Sequence, residues 1–436
     1  MTIEERQADA PTRLVQPIPR RHQADPYPWY EELRAAGPVQ RIGERLWIAT
    51  GYEAVAAALR DRRLGRANSS AWRPSGPFWL EELRARAATA SGRTETLGLS
   101  KLWMINLDLP EHPPLRRAVG RELGASAVER LRPRVVELCR ELLEDLHAQT
   151  AAPGEFDLME RFALPLPALV VAELLGIPAS DRAATIALAR TLGPALAGEA
   201  DESGVEVASA ATISLAEYFR DILRSAAGPP PESLLAHFAA AGLDEPHAVA
   251  QAILLFFAGE ETTANWIGNG FDALLRAPRL YQALAGATAE ERGGHDPAFR
   301  AGLEELLRFD SPVQFTLRLC LEPLTLAGGE IAAGDYLVVG LAAANRDPAV
   351  FARPDSIDLG RRPNPHLAFG SGLHSCLGAA LARLEAEEAF AAVLRRFPNL
   401  ERGAAPPARQ PGGLLRGLAV LPVRAGSVNS PQGSAR

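Results

Sequence analysis

One segment, Ala248–Leu275, limits the possible folds most, because its pattern predicts a single helix about 40 Å long. Its middle, Ile253–Ala258, is apolar on every face, which indicates a helix buried on all sides. A buried helix of this length needs other elements packed around it. Helical patterns are found elsewhere in the chain, over Leu115–Arg224, over Ala298–Phe309 and from near Cys376 to about Phe397. The sequence therefore predicts a mainly α fold with a long central helix.

The β part of the predicted fold is small. Val39–Ile42 and Arg45–Thr50, on either side of a short turn, are typical of a hairpin. Leu324–Leu326 and Tyr336–Val339 are strand-like runs. The predicted fold class is therefore α+β, mainly α with a small β part.

The chain has no linker that would divide it, so we expect residues 25–425 to form a single domain. Residues 1–24 are polar and interrupted by proline, and we expect a disordered or extended N-terminal tail there. Residues 426–436 are expected to form a disordered C-terminal tail.

Composition excludes several classes of protein. The 436 residues are 47% hydrophobic and carry a net charge of −7, which does not indicate a nucleic-acid partner. Three widely spaced cysteines do not suggest a disulfide framework or a zinc site. The N-terminus has no apolar core for a signal peptide and no long apolar run for a membrane anchor, so we expect a cytoplasmic protein.

The stretch Asn68–Asn106 has no clean period and contains Trp72, Phe78, Trp79 and Trp103. A long irregular segment rich in aromatic residues is more often a functional loop than a passive connection. We therefore expect an irregular lid-like loop here.

The segment that points to chemistry is Phe369–Gly378, in which Cys376 precedes a predicted helix. Backbone N–H groups and the helix dipole at such a position lower a thiol pKa and can donate hydrogen bonds to sulfur. Glycines in the segment let the backbone approach a flat ligand closely. Nothing nearby supplies the other ligands of a zinc or iron–sulfur site. A single thiolate on a large planar cofactor fits better than the buried inert thiol that is a lone cysteine's commonest fate.

This segment resembles the haem-binding signature of the cytochrome P-450 superfamily, Phe-x-x-Gly-x-x-x-Cys-x-Gly, at every fixed position. The resemblance implies a soluble bacterial-type enzyme of the P-450 fold, with the long helix over the haem and the cysteine loop beneath it. It also implies haem b as the cofactor, Cys376 as the axial ligand of the iron, and cofactor contacts from Phe369, Gly378 and Ala258.

A second element resembles the same superfamily. Glu305 and Arg308 lie three residues apart on a predicted helix, a spacing that by itself indicates no more than a weak surface ion pair. In the superfamily the corresponding Glu-x-x-Arg pair is buried and stabilises the core on the haem side. The resemblance implies that its partner is the stretch from Asn345 to Arg361.

The central helix is interrupted by polar residues at Ala258-Gly259-Glu260-Glu261-Thr262-Thr263. One interpretation is that Thr262 only bonds back to the Ala258 carbonyl and bends the helix. The run also resembles the superfamily's acid–alcohol pair, in which Glu261 would be the acid and Thr262 the alcohol. Such a pair passes protons through water to iron-bound dioxygen.

Four basic residues resemble the superfamily's contacts to the haem propionates. His112 and Arg116 lie four apart at a helix start opened by two prolines, which could equally be a capped or solvated helix end. Arg318 and His374 match two further positions. Arginine suits a carboxylate because its planar fork can bind two oxygens.

The resemblance also places a substrate pocket between the long helix, the Asn68–Asn106 loop, the segment after Pro312 and a turn near the C-terminus. The residues mapped there are mostly apolar: Leu254, Phe257, Ala258, Gln314, Phe315, Leu414 and Leu415. We therefore expect a bulky, largely hydrophobic, natural-product-like substrate, oriented by shape.

The function implied is that of a monooxygenase of secondary metabolism, which hydroxylates or epoxidises its substrate with dioxygen. The resemblance implies electrons from NAD(P)H through a separate ferredoxin reductase and ferredoxin, which would dock near Arg117, Arg121, Arg361 and Arg362. Two alternatives stay open. One is non-hydroxylating oxidation on the same fold, such as ring coupling or desaturation. The other is a non-enzymatic haem-thiolate sensor, against which the acid–alcohol pair argues.

Overall fold

The computed structural model describes residues 18–66, 91–149, 154–196, 201–288, 290–291 and 294–425. Within these ranges the chain is mostly helical. The helices are α1 (Tyr27–Ala36), α2 (Tyr52–Arg60), α3 (Ser91–Leu102), α4 (His112–Gly120), α5 (Ala125–Glu129), α6 (Arg132–Gln149), α7 (Pro165–Leu175), α8 (Arg182–Arg190), α9 (Leu192–Leu196), α10 (Glu202–Arg224), α11 (Leu234–Ala240), α12 (Glu245–Arg276), α13 (Pro278–Gly286), α14 (Pro297–Phe309), α15 (Leu341–Ala344) and α16 (Ala379–Arg396).

The strands are short and belong to several small sheets. They are β1 (Val39–Gly43), β2 (Leu46–Ala49), β3 (Leu64–Gly65), β4 (Glu155–Asp157), β5 (Glu290–Glu291), β6 (Gly294–His295), β7 (Thr316–Cys320), β8 (Leu324–Leu326), β9 (Gly329–Ile331), β10 (Tyr336–Val339), β11 (Leu400–Arg402), β12 (Ala408–Arg409), β13 (Leu418–Val420) and β14 (Pro422–Ala425). In the described part of the chain the largest sheet has the order β1-β2-β10-β7-β3. Strand β10 pairs in parallel with β2 and antiparallel with β7, so that Val338 lies between Ile48 and Leu317. The predicted hairpin and both predicted strand runs are confirmed.

Helix α12 is the buried central helix that the sequence predicts. Its N-terminus is capped by Asp244, whose side chain accepts a hydrogen bond from the backbone N–H of His247, and proline stands in its first turn. The helix packs against α3, α7, α10, α14 and α16, which bury its residues on several faces. A helix surrounded in this way needs apolar residues around much of its circumference, as its middle has.

The expectation of an irregular loop over Asn68–Asn106 is wrong for its second half. Ser91–Leu102 forms helix α3, which packs against α10 and α12. Leu99 and Trp103, four residues apart, are buried in the core that these helices share. Serine, threonine and glycine have low helix propensity and obscure the period, so tertiary packing stabilises this helix. Trp72, Phe78 and Trp79 lie outside the described residues.

Residues 18–24 make tertiary contacts that the predicted N-terminal tail would not make. Ile18 is buried, and the guanidinium of Arg416 donates a hydrogen bond of 2.8 Å to the carbonyl of Ala24. These contacts correct the predicted tail for residues 18–24. Residues 1–17 and the expected C-terminal tail, 426–436, lie outside the described residues.

None of the helices in the described ranges combines the length and apolar character needed to span a membrane.

Candidate active site

Cys376 lies in a loop and stands three residues before Ala379, the first residue of α16. The loop is held by its own backbone, because the N–H of Cys376 donates to the carbonyl of Phe369 at 2.8 Å. Gly372 has φ of +71°, and a Cβ built on it would lie 2.5 Å from the carbonyl oxygen of Leu59. Glycine is therefore required there by both conformation and space.

The Cys376 thiol differs from the other two. Cys139 and Cys320 are buried, whereas Cys376 is exposed, and a Cβ built on the neighbouring Gly378 would meet no atom within 4 Å. Cys376 and Gly378 thus border open space. Desolvation by the surrounding chain raises the pKa of the free thiol above its usual value, and the backbone N–H of Gly378 and the charges of Arg116 and Arg383 act in the opposite direction.

Basic side chains of α4 lie next to side chains of the cysteine loop. Arg116, on α4, donates to the hydroxyl of Ser375 at 3.1 Å. His374 Nε2 lies 3.1 Å from an Asp108 carboxylate oxygen, and the His374 ring packs edge-on against His112 with a centroid distance of 4.6 Å. The Nδ1 atoms of both histidines are buried without a hydrogen-bond partner in the structure. The structure therefore brings together three of the four predicted basic residues.

Arg318 completes the cluster, together with a residue that the sequence did not indicate. Arg66, which follows β3, and Arg318, on β7, both donate to the hydroxyl of Thr316, at 3.1 and 2.9 Å. The backbone N–H of Arg66 also donates to Asp108 at 2.6 Å. Burial, followed by the charge of Arg66, lowers the pKa of Arg318 to about 9, and burial, followed by His374, lowers that of His112 to about 4. Positive charge is crowded here without enough anions to balance it, an environment that favours an anionic ligand.

On α12 the two acids have different surroundings. Glu260 is buried and pairs with Arg190 of α8. Glu261 makes no hydrogen bond to any described residue, and burial, followed by the charge of Glu260, raises its pKa. The Thr262 hydroxyl donates to the Ala258 carbonyl at 3.0 Å, the local bond that the sequence left open as an alternative.

A cavity of about 400 Å³ opens beside these acids. Its wall combines apolar and charged side chains, including Arg190, Phe257, Glu260, Glu261, Gln410 and Leu415. Phe257 and Leu415, two of the predicted pocket residues, line this cavity. The charged residues were not among the predicted ones, and the salt bridge between Arg190 and Glu260 joins positions 70 residues apart, which no local pattern could reveal.

Other predicted pocket residues have structural contacts instead. Gln314 is buried, accepts from the Tyr30 hydroxyl at 2.9 Å and donates to the Ser311 carbonyl at 2.7 Å, so both ends of its amide are occupied. Phe315 packs against the small core beneath α1, and the Leu414 carbonyl accepts from the backbone N–H of Gln314. Leu254 is buried in the core shared by α10 and α12, and Ala258 packs against it.

Comparison with known proteins agrees with the resemblance seen in the sequence. A profile of the family described as Cytochrome P450 matches residues 215–423. The chain is 37% identical to Cytochrome P450 monooxygenase PikC of Streptomyces venezuelae, over 92% of this chain and 91% of that protein. It is 36% identical to Vitamin D(3) 25-hydroxylase of Pseudonocardia autotrophica, over 92% and 94%. The solved structure of P450BioI with an acyl carrier protein ligated to hexadec-9Z-enoic acid has a TM-score of 0.81 at 29% identity, covering 93% of this chain and 100% of that one.

The chain belongs to the cytochrome P450 family. It is a monooxygenase, and therefore an oxidoreductase. The family uses a haem cofactor and dioxygen, takes electrons from redox partners and binds a small-molecule substrate.

The Glu305–Arg308 pair of this P450 is wholly buried. Arg308 donates to both carboxylate oxygens of Glu305, at 2.7 and 2.8 Å. Arg361 donates to the same carboxylate at 3.0 Å, and Arg308 donates to the Asn345 carbonyl at 2.8 Å. The predicted contact with the Asn345–Arg361 stretch is therefore present. We call Glu305, Arg308, Asn345 and Arg361 the buried brace.

The buried brace bears on the predicted ferredoxin-docking surface, which included Arg361. Arg361 is only 9% exposed and is bound to Glu305, so it is not available to a docking protein. Arg117, Arg121 and Arg362 are exposed.

Proposed function

We propose that this P450 is a haem-thiolate monooxygenase in which Cys376 is the axial ligand of haem b. The observation that carries the proposal is the position of the thiol, exposed at the start of α16 and flanked by the basic cluster. A thiol that binds a metal is deprotonated and its proton is released to solvent, so a raised pKa of the free thiol does not exclude this role.

The basic cluster supports haem b in particular, because this group carries two carboxylates. Arg116 and Arg318 would bind the propionates, with His112 and His374 as neutral donors beside them. Arg66 and Asp108 would hold these donors in place through their bonds to the Thr316 hydroxyl and to His374. Phe369, Gly378 and Ala258 would contact the ring. When bound, the haem supplies the iron at which dioxygen is activated.

Glu261 and Thr262 are proposed as the proton-delivery pair. The raised pKa of Glu261 keeps a proton on its carboxyl at higher pH than usual, which suits a proton donor. The Thr262 hydroxyl, now bonded to Ala258, would turn toward the cavity to pass protons through water to the oxygen substrate.

The substrate is proposed to be bulky, largely hydrophobic and natural-product-like, and to be hydroxylated or epoxidised. Phe257 and Leu415 supply apolar wall, while the charge of Arg190 is compensated by Glu260 and so does not demand an anionic group. The names of two similar proteins refer to vitamin D(3) and to a long-chain acyl group, both bulky and apolar. A ligand screen by the haem spin-state change tests this class, and a best ligand that is small and multiply charged would reject it.

Electrons are proposed to come from NAD(P)H through a ferredoxin reductase and a ferredoxin. The exposed arginines Arg117, Arg121 and Arg362 would attract an acidic partner. Salt screens such contacts, so the rate of reduction should fall as ionic strength rises. A rate that does not depend on salt would reject electrostatic docking.

The axial ligand is tested by Cys376→Ala. The purified wild type, reduced under carbon monoxide, should show the red-shifted band of thiolate ligation, and the variant should lose it. Cys139→Ala is the matched control, because Cys139 is a buried thiol of the core. Retention of the band by Cys376→Ala would show that another residue is the ligand.

A further inference from the structure

Glu304, which stands next to Glu305 on α14, joins two residues on opposite sides of the cysteine loop. Its Oε1 accepts from Arg383 Nε at 2.7 Å, and its Oε2 accepts from Arg383 Nη2 at 2.9 Å. The same Oε2 lies 2.8 Å from His366 Nε2. Arg383 belongs to α16, and His366 lies three residues before Phe369, so one carboxylate connects both ends of the loop to α14.

The two residues that Glu304 holds both lie against Phe369. The Arg383 guanidinium carbon is 4.4 Å from the centre of the Phe369 ring, and the His366 ring centre is 6.2 Å from it. The Phe369 carbonyl in turn accepts the backbone N–H of Cys376. Contacts therefore run without a gap from the Glu304 carboxylate to the residue proposed as the ligand.

The Glu304 carboxylate and the Arg383 guanidinium both stay charged near neutral pH. Although burial opposes it, the bonds from His366 and Arg383 lower the pKa of Glu304 to about 2, so that the carboxylate stays ionised. Arg383 is, after Arg116, the second positive charge whose field acts on the Cys376 sulfur. The opposite charge of Glu304 partly cancels that field.

We propose that Glu304 is a positioning residue that acts on the cysteine site through Arg383: it holds the guanidinium over Phe369 and offsets part of its positive charge, and thereby lowers the reduction potential of the P450. The proposal rests on the proposed ligation by Cys376. The two neighbouring glutamates of α14 then have different roles, because Glu305 belongs to the buried brace and Glu304 faces the cysteine loop.

The test measures the one-electron reduction potential of the haem-loaded, full-length protein. A positive charge beside the iron favours the reduced state. Arg383→Met should therefore lower the reduction potential. Glu304→Gln removes the negative charge that opposes Arg383 and should raise it. We expect each variant to change the reduction equilibrium about threefold, which corresponds to about 28 mV for one electron. Arg383→Lys keeps the charge and should stay close to the wild type.

The control is Glu401→Gln, which also removes one carboxylate charge, because Glu401 is exposed and pairs with Arg424. Its potential should not change. A purely structural role of Glu304 would shift the potentials of Glu304→Gln and Arg383→Met in the same direction or not at all, and either result would overturn the proposal. If Arg383→Met fails to bind haem, the comparison of Glu304→Gln with Arg383→Lys decides in its place. Failure of the ligand assignment itself is distinguished by the carbon monoxide band of Cys376→Ala.

Discussion

The buried brace and the polar segment Gly259–Thr263 of α12 surround their carboxylates with different partners. Glu305 accepts from Arg308, from Arg361 and from the backbone N–H of Asp358, so its carboxylate is fully compensated. Glu261, half-buried at the cavity, has no hydrogen bond to a described residue and a raised pKa. A buried carboxylate with strong partners can only hold neighbouring elements together, whereas one without partners can exchange a proton. The comparison separates the part of this P450 that supports the site from the part that reacts.

The difference follows from what each helix packs against. The brace contacts the turns and bends of Asn345–Arg361, whose carbonyls and side chains are available as partners. Glu260 and Glu261 of α12 line the cavity. Val171 of α7 packs against the neighbouring Gly259 so closely that a Cβ on Gly259 would lie 2.7 Å from a Val171 methyl carbon. Glycine there lets α7 approach the helix, and the acids are left toward the cavity.

The largest effect is expected from breaking the brace. Arg308→Ala leaves the Glu305 charge buried with one cationic partner fewer, and removal of one member of a buried pair costs about 3–5 kcal/mol of unfolding free energy. Urea denaturation of the haem-loaded protein measures the loss. Arg140→Ala, which removes an exposed pair with Glu144, should leave stability unchanged within error. Equal stability of the two variants would show that the brace is not a support.

A smaller effect, and one on chemistry alone, is expected from Thr262→Ala. Among the described residues the hydroxyl bonds to its own helix alone, so its loss should not destabilise the protein. Proton transfer groups typically contribute about 10²-fold or more to rate, and we expect product per NAD(P)H consumed to fall by about tenfold, with electrons appearing as hydrogen peroxide. The measurement uses any substrate found in the spin-state screen. Thr262→Ser keeps the hydroxyl and should preserve coupling, whereas unchanged coupling in Thr262→Ala would remove Thr262 from the proton route.

The smallest effect is expected on the pH dependence of stability in Glu261→Gln. Burial and Glu260 raise the folded-state pKa of Glu261 above its unfolded value, so the folded state binds this proton more tightly. Stability of the wild type should therefore decline as pH rises from the unfolded toward the folded pKa, and then level off. Glutamine cannot ionise, so the variant should be the more stable one above that range. Parallel stability curves for the two proteins would show that Glu261 is not perturbed.

Much of the scaffold was predictable because it depends on local pattern. The long helix was recognised from its apolar middle, and β8 and β10 have the predicted bounds. Helix α3 was missed, since its glycine and hydroxyl residues hide the period and it is stabilised by packing against α10 and α12. Cys376, Glu305 and Arg308 were found through their motifs, which place each residue at a fixed offset from others nearby in sequence.

The sequence by itself determined the family, the mainly α fold and the residues that carry motif positions, because these depend on spacing along the chain. The tertiary structure decided which charges are compensated. It paired Glu260 with Arg190 and left Glu261 at the cavity, and it placed Arg66 beside Arg318. The physical reason is that the pKa and the bonds of a buried group depend on its neighbours in space, and these neighbours lie scores to hundreds of residues away in sequence.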